Sequence, residues 1–233
     1  MKFFRSKTRS RKGFSLVEVL LALAVLGIAM LSIMGLLNAT FESVARNVML
    51  RRAIAVYTAL DRACSAVSTV IRSDGSSFVT DSAMTKTSFE YVYEWVRSKT
   101  GKDWDDAVFF VCISRRIAPD EDDTPQHVLQ IIKCDSDSST PTQSELNDLD
   151  SEGTAFFMRV YLSPQLEGRY TEMDSDGQVL DTQYSTGGSL PSSADKYALP
   201  YLPLTVDVYP FTPGSASVED QVPVMTQLLV ISR

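Results

Sequence analysis

An uninterrupted apolar stretch near the amino terminus constrains this chain more than any other feature. No charged residue occurs between Val19 and Phe41, a run of 23 positions. At about 1.5 Å of rise per residue, a helix over this run is about 35 Å long, which exceeds the roughly 30 Å hydrocarbon core of a bilayer. The sequence therefore predicts one membrane-spanning helix, with the rest of the chain divided between its two ends.

The charges on the two sides of this stretch are strongly unequal. Residues 1–13 contain six of the 22 basic side chains and no acidic one, which leaves 16 basic against 29 acidic side chains in the remainder. Basic residues before an apolar span stay in the cytoplasm, so we expect the remainder to be exported. Its acidic balance argues against nucleic-acid binding, which needs a basic surface.

One carboxylate, Glu18, lies at the amino-terminal edge of the apolar stretch. A charged residue at the centre of a membrane helix costs about 2.5–3.5 kcal/mol for insertion, and less near its edge. A plain signal anchor fits the length and the charge, but it leaves this glutamate and the Gly13-Phe14 step unexplained. A cleaved secretory signal would need a small-x-small site after the apolar core, whereas Ala22-Leu23-Ala24 lies inside it. The cost of Glu18 therefore implies a role other than anchoring.

The segment Lys12-Gly13-Phe14-Ser15-Leu16-Val17-Glu18 closely resembles the cleavage motif of type IV prepilins and type II secretion pseudopilins. The resemblance covers residues 12–37 and implies that prepilin peptidase cuts between Gly13 and Phe14. It also implies that Phe14 is then N-methylated and that Glu18 acts in assembly. A carboxylate buried among packed helices is tolerated when it meets a cation, and the free amino terminus of Phe14 in a neighbouring subunit would be that cation.

The chain divides into a basic leader (1–13), a transmembrane or filament-core half of a long helix (14–41), an amphipathic half of the same helix (42–73) and a globular head (74–233). Apolar residues of the amphipathic half recur at spacings of three and four from Met49 to Ile71, which indicates one face of a helix. No proline interrupts the two halves, and Asp74-Gly75 is a stop signal. We therefore expect a single helix from Phe14 to about Arg72.

The head has the pattern of a short helix followed by strands. Thr87 and Glu90 have the spacing of a capping box, which predicts a helix that ends before Gly101. The β-rich segments that follow are 108–117, 128–134, 155–162, 204–211 and 222–231, with a weaker hairpin at 169–183. The predicted fold class is α+β, with a long N-terminal helix packed on a head of four to six antiparallel strands. Pilin-like proteins share this layout.

Two groups of residues are candidate sites in the head. Cys112 and Cys134 fall on neighbouring predicted strands and form either a cross-strand disulfide or two reduced core cysteines, depending on the register. Asp174, Asp176 and Asp181 surround a glycine turn and offer the carboxylate oxygens that calcium prefers. Their spacing departs from the EF-hand loop, because the glycine comes at the fourth place and no glutamate closes the loop. A polar hairpin turn without calcium is the alternative, and no other cofactor is expected.

No catalytic motif is recognisable, and the single histidine, His127, excludes most histidine-based metal and triad chemistry. We therefore expect a non-enzymatic minor pilin or pseudopilin-like subunit of a type IV pilus or a type II secretion pseudopilus. It would be a single-pass protein of the bacterial inner membrane, with its N-terminus cytoplasmic and its head exported to the periplasm or the cell surface. Its expected partners are prepilin peptidase, other pilin or pseudopilin subunits and the inner membrane. The alternative is a signal-anchored exported binding or enzymatic domain that does not polymerise.

Overall fold

The computed structural model describes residues 15–67, 70–72, 86–117, 126–134, 156–210 and 218–233. Gly13 and Phe14, the residues of the expected cleavage site, lie outside these ranges. The chain forms two compact units, Met1–Val48 and Met49–Arg233.

In its described part, the first unit consists of the amino-terminal portion of helix α1, which spans Leu16–Ser65. The side chain of Ser15 caps this helix by accepting a hydrogen bond from the Glu18 N–H at 3.2 Å. Every residue from Leu16 to Leu50 is exposed. Among the described residues, α1 is the one helix long and apolar enough to cross a membrane.

Helix α1 ends at Ser65, so the predicted end near Arg72 is wrong. Val67 and Val70 are nevertheless buried in the core, and Ile71–Arg72 form strand β1. The apolar spacing therefore indicated the burial of Ala53, Val56, Leu60, Cys64 and Val67, but Met49 of the same predicted face is exposed, and the spacing did not show where the helix ends. β-Branched residues predominate between Val67 and Ile71, and such residues lose side-chain freedom in a helix and pack well in a strand.

Helix α2 (Ser88–Val96) begins at the predicted capping box. The Thr87 hydroxyl accepts a hydrogen bond from the Glu90 N–H at 3.3 Å, and the Glu90 carboxylate accepts one from the Thr87 N–H at 2.6 Å. The rings of Phe89 and Tyr93 pack against Tyr197, with centroid distances of 6.3 and 5.3 Å. The capping prediction is confirmed, and these aromatic residues belong to the core.

Five further strands complete a six-stranded sheet: β2 (Val108–Ile117), β3 (Gln126–Lys133), β4 (Phe156–Leu162), β5 (Tyr201–Pro210) and β6 (Met225–Ser232). The strand order is β1-β3-β2-β4-β5-β6, with β1 parallel to β3 and all other neighbours antiparallel. Short 3-10 helices lie at Pro164–Leu166, Ala194–Lys196 and Val218–Asp220. The weaker hairpin is present as isolated bridges that join Tyr170 to Gln183 and Met173 to Val179. The predicted α+β layout is confirmed.

Both faces of the sheet are buried over its central strands β4 and β5, whereas β6 exposes one face. The first core lies between one face and the two helices, and its helical members include Ala53, Val56, Leu60, Phe89, Val92 and Tyr93. The second core lies on the opposite face and includes Phe109, Val111, Phe157 and Tyr209, with Trp104 packed against it. Because successive residues of a strand point to opposite faces, neighbouring residues of β4 and β5 belong to different cores.

Cys112 and Cys134 do not form the disulfide considered above. In the β2–β3 ladder Cys112 is opposite Ile131, whereas the Cys134 N–H donates to the carbonyl of Phe109 at 3.0 Å. Cys112 therefore lies in the first core, while Cys134 packs against the second core on the other face of the sheet. Both residues are thiols, because this register separates their side chains.

Candidate functional site

The first turn of α1 carries Glu18, the predicted assembly residue. Its N–H donates to the backbone carbonyl of Ser15 at 3.0 Å and to the Ser15 hydroxyl at 3.2 Å. A negative charge is favoured at this position by the helix dipole. The side chain is exposed, and its carboxylate makes no hydrogen bond or ion pair with any described residue. The carboxylate is therefore available to a partner outside the described part of the chain.

The surface around Glu18 is apolar along the whole first half of α1. Its exposed large side chains include Leu16, Val17, Leu20, Leu21, Leu23, Leu31, Leu36 and Phe41. Continuous apolar surface of this kind marks contact with a membrane or with other proteins. The helix thus requires lipid or other helices around it, and Glu18 lies at one end of that surface. Cleavage and methylation at Gly13 and Phe14 remain predictions, since both residues lie outside the described ranges.

The second core contains an ion pair that was not predicted from the sequence. Arg159 on β4 and Asp207 on β5 are opposite each other in the ladder, and Arg159 Nη1 lies 3.7 Å from Asp207 Oδ2. Their side chains are only 11% and 8% exposed. The hydroxyl of Thr226 donates to Asp207 Oδ1 at 2.7 Å, so the carboxylate is contacted through both oxygens. A lone arginine within the otherwise apolar strand β4 was the signal that could have identified this pair.

The Arg159 guanidinium also fastens the loop between α2 and β2 to the sheet. It donates to the carbonyls of Gly101 at 2.8 Å, Asp103 at 2.6 Å and Trp104 at 3.2 Å. Its central carbon lies 5.1 Å from the ring centre of Trp104 and 4.8 Å from that of Tyr161, within the range of cation–π attraction. Gly101 has a φ of 70°, and a Cβ there would lie 2.2 Å from the Tyr161 ring, so this close approach requires glycine. Arg159 therefore acts as a structural clamp.

The buried hydroxyl and thiol groups near this sheet are un-ionised at neutral pH. Burial, with a smaller contribution from the charge of Asp207, raises the pKa of Tyr209 to about 12. Burial alone raises the pKa of the Cys112 thiol to about 12. A buried group that holds its proton in this way is a poor acid, base or nucleophile. Tyr209 and Cys112 therefore serve packing rather than chemistry.

The acidic hairpin turn begins at Asp174. The Asp174 carboxylate accepts hydrogen bonds from the N–H groups of Asp176 at 2.9 Å and Gln178 at 2.8 Å. Gly177, with a φ of 80°, donates its N–H to the Asp174 carbonyl at 3.2 Å. Within the described ranges, no three histidine, cysteine or acidic side chains, Asp181 included, are grouped as metal ligands. The polar-turn interpretation accounts for Asp174, and calcium binding stays a prediction.

Replacing Asp174 with alanine should lower the free energy of unfolding by about 1 kcal/mol, because two backbone N–H groups lose their acceptor. Urea denaturation of the full chain, with added calcium or with EDTA, measures this effect. Asp176→Ala is the matched control, since it removes a neighbouring carboxylate that accepts neither bond. We expect the Asp174→Ala loss to be equal with calcium and with EDTA. A calcium-dependent stabilisation of the wild type that Asp174→Ala abolishes would instead support a metal site.

The long apolar helix and the α+β head fit a membrane-anchored protein with a globular domain. The family description "Prokaryotic N-terminal methylation motif" matches residues 8–34. This motif is the signature of type IV pilins and pseudopilins, so the amino-terminal segment of the chain carries that signature, and the motif implies processing by prepilin peptidase. No curated protein and no solved structure matches the chain.

Proposed function

We propose that this chain is a minor pilin or pseudopilin-like subunit that assembles through α1 into a type IV pilus or a type II secretion pseudopilus. The observation that carries the proposal is the combination of the methylation motif at residues 8–34 with an exposed apolar helix whose carboxylate, Glu18, has no described partner. The large acidic head favours a minor subunit, because such a head would crowd a tightly repeated major filament. The head then provides contacts at the tip or with cargo.

The charges of the leader favour cleavage before assembly. Residues 1–13 carry six cations, and moving one basic side chain to the centre of a membrane helix costs about 2.5–3.5 kcal/mol. The uncut chain is therefore held with its amino terminus in the cytoplasm. A cut after Gly13 removes all six cations and leaves an apolar helix that can leave the bilayer for a filament.

The same cut creates a partner for Glu18, whose carboxylate makes no bond among the described residues. A chain that begins at Phe14 has a positive amino group next to its apolar helix. Among packed helices, this cation and a Glu18 carboxylate of a neighbouring subunit neutralise each other, whereas either charge alone would be strongly unfavourable. The pair therefore sets the axial position of one subunit against the next.

The mass of the mature amino terminus tests this proposal. We expect a chain that begins at N-methylated Phe14 when the protein is produced together with a prepilin peptidase. Gly13→Val should leave the chain uncut, because a branched side chain replaces the glycine that precedes the cleavage site. Gly27→Ala is the matched control, since its added Cβ meets no neighbouring atom, and it should be processed normally. An intact residue 1, or a cut after Ala24, would instead support the signal-anchored domain that does not polymerise.

A further inference from the structure

Three polar side chains interrupt the apolar stretch of α1, and only two of them make a hydrogen bond within the described residues. The Ser32 hydroxyl donates to the carbonyl of Ile28 at 2.9 Å, and the Thr40 hydroxyl donates to the carbonyl of Leu36 at 2.8 Å. Both groups are therefore bonded one turn back within their own helix. The third residue, Asn38, is exposed, and its amide makes no hydrogen bond within the described chain.

An amide in apolar surroundings needs a partner, because no water is present to bond its two donors and its carbonyl. Asn38 lies inside the uncharged stretch, and its own helix provides no hydrogen bond to its amide, so we infer that the partner comes from outside that helix. Gly35 lies one turn earlier on the same side, and a Cβ there would meet no heavy atom within 4 Å apart from its chain neighbours and the nearby backbone of its own helix. A second helix can therefore approach closely enough for the short asparagine side chain to reach it.

We propose that Asn38 forms an amide–amide hydrogen bond with the same residue of a second copy of this chain, between two parallel α1 helices. Two arguments select a second copy as the partner. All copies carry the same basic leader and enter the membrane in the same orientation, which brings their Asn38 residues to equal depth. An amide is both donor and acceptor, so two identical side chains are complementary, and a buried asparagine pair fixes the register of parallel helices.

This contact goes beyond the proposed function. It requires only that α1 lies in apolar surroundings, and it depends neither on cleavage at Gly13 nor on a filament. It also differs from the role of Glu18, because it joins equivalent positions of two helices side by side.

Energy transfer between labelled copies of the full-length chain tests the contact. Chains with a donor or an acceptor fluorophore at the carboxyl terminus are reconstituted together in phosphatidylcholine vesicles and diluted with lipid, which yields an association constant. We expect Asn38→Leu to weaken association by about three- to tenfold. Asn38→Gln retains the amide and should associate as the wild type does. Ser32→Ala and Thr40→Val are matched controls, because each removes a polar group that is already satisfied inside its own helix.

An association constant that is unchanged in Asn38→Leu, or reduced equally in Ser32→Ala, would overturn the proposal. A wild-type chain that stays monomeric in vesicles, while residue 38 cross-links to a different protein in native membranes, would overturn the choice of a second copy. Neither result alters the mass of the mature amino terminus. Failure of this inference is therefore distinguishable from failure of the proposed function.

Discussion

Replacing Arg159 with methionine should lower the free energy of unfolding by about 3–5 kcal/mol. Methionine is also long and unbranched but carries no charge, so the Asp207 carboxylate remains buried without its cation. The same change removes the donors to the carbonyls of Gly101, Asp103 and Trp104. A buried charge without a partner is unfavourable, and the loss of three hydrogen bonds, two of them part-buried, releases the loop, so the loop and the second core are destabilised together.

Urea denaturation of the full-length protein in detergent, followed by tryptophan fluorescence, measures this loss, because Trp104 lies against the guanidinium. Lys86→Met is the matched control. Lys86 pairs with Glu94 at 2.7 Å, but the two side chains are 43% and 47% exposed, so water replaces the lost partner. We expect the unfolding midpoint of Lys86→Met to match that of the wild type.

A double variant separates the two causes of the Arg159 effect. Arg159→Met combined with Asp207→Asn leaves no buried charge but still lacks the donors to the loop carbonyls, so part of the stability should return. Equal losses in Arg159→Met and Lys86→Met would contradict the role of Arg159 as a buried clamp.

Local chemistry explains why some elements of the fold were predictable. The uncharged run predicted helix α1, because its length and composition suit a membrane helix. The capping box predicted where α2 begins, because the side chains of Thr87 and Glu90 accept hydrogen bonds from each other's backbone N–H groups, whatever surrounds them. The strand Val108–Ile117 was also predicted at its observed bounds, since a long β-rich segment between polar segments favours few structures other than a strand.

Other features depend on contacts between distant segments and could not be read from periodicity. Val67 and Ile71 continue the apolar spacing of α1, yet the helix ends at Ser65 and Ile71–Arg72 pair with β3, far away in sequence. The alternation of apolar and polar residues along β5 predicted that Asp207 lies on the face opposite the helices. It did not show that this face is buried as well, because burial there depends on Arg159 and on the second core.

The candidate site was predictable only in part for a similar reason. Glu18 was conspicuous because a charge in an apolar stretch has a known cost. The disulfide alternative for Cys112 and Cys134 was wrong, because the strand register places the two residues on opposite faces of the sheet. The sequence of a single strand does not specify that register. The sequence did not identify Asn38 as a candidate residue. It stands out only in the structure, where Ser32 and Thr40 are hydrogen-bonded within α1 and Asn38 is not.

The largest functional effect is expected at Glu18. Glu18→Ala should reduce incorporation into filaments by about a hundredfold or more and leave membrane insertion intact. Removing one partner of a buried ion pair costs about 3–5 kcal/mol, and about 1.4 kcal/mol corresponds to a factor of ten in an equilibrium constant. Insertion is retained because alanine is more readily accepted in an apolar helix than glutamate.

Separation of sheared filaments from membranes, with the chain quantified in each fraction, measures this effect. Val17→Ala is the matched control, because Val17 is the exposed neighbour of Glu18 on α1 and carries no charge. Glu18→Asp keeps the charge on a shorter side chain and should give intermediate incorporation. The mass of the amino terminus in each variant distinguishes a defect of assembly from a defect of cleavage. Wild-type incorporation of Glu18→Ala would contradict the registration role, and an equal loss in Val17→Ala would show that the charge is not what matters.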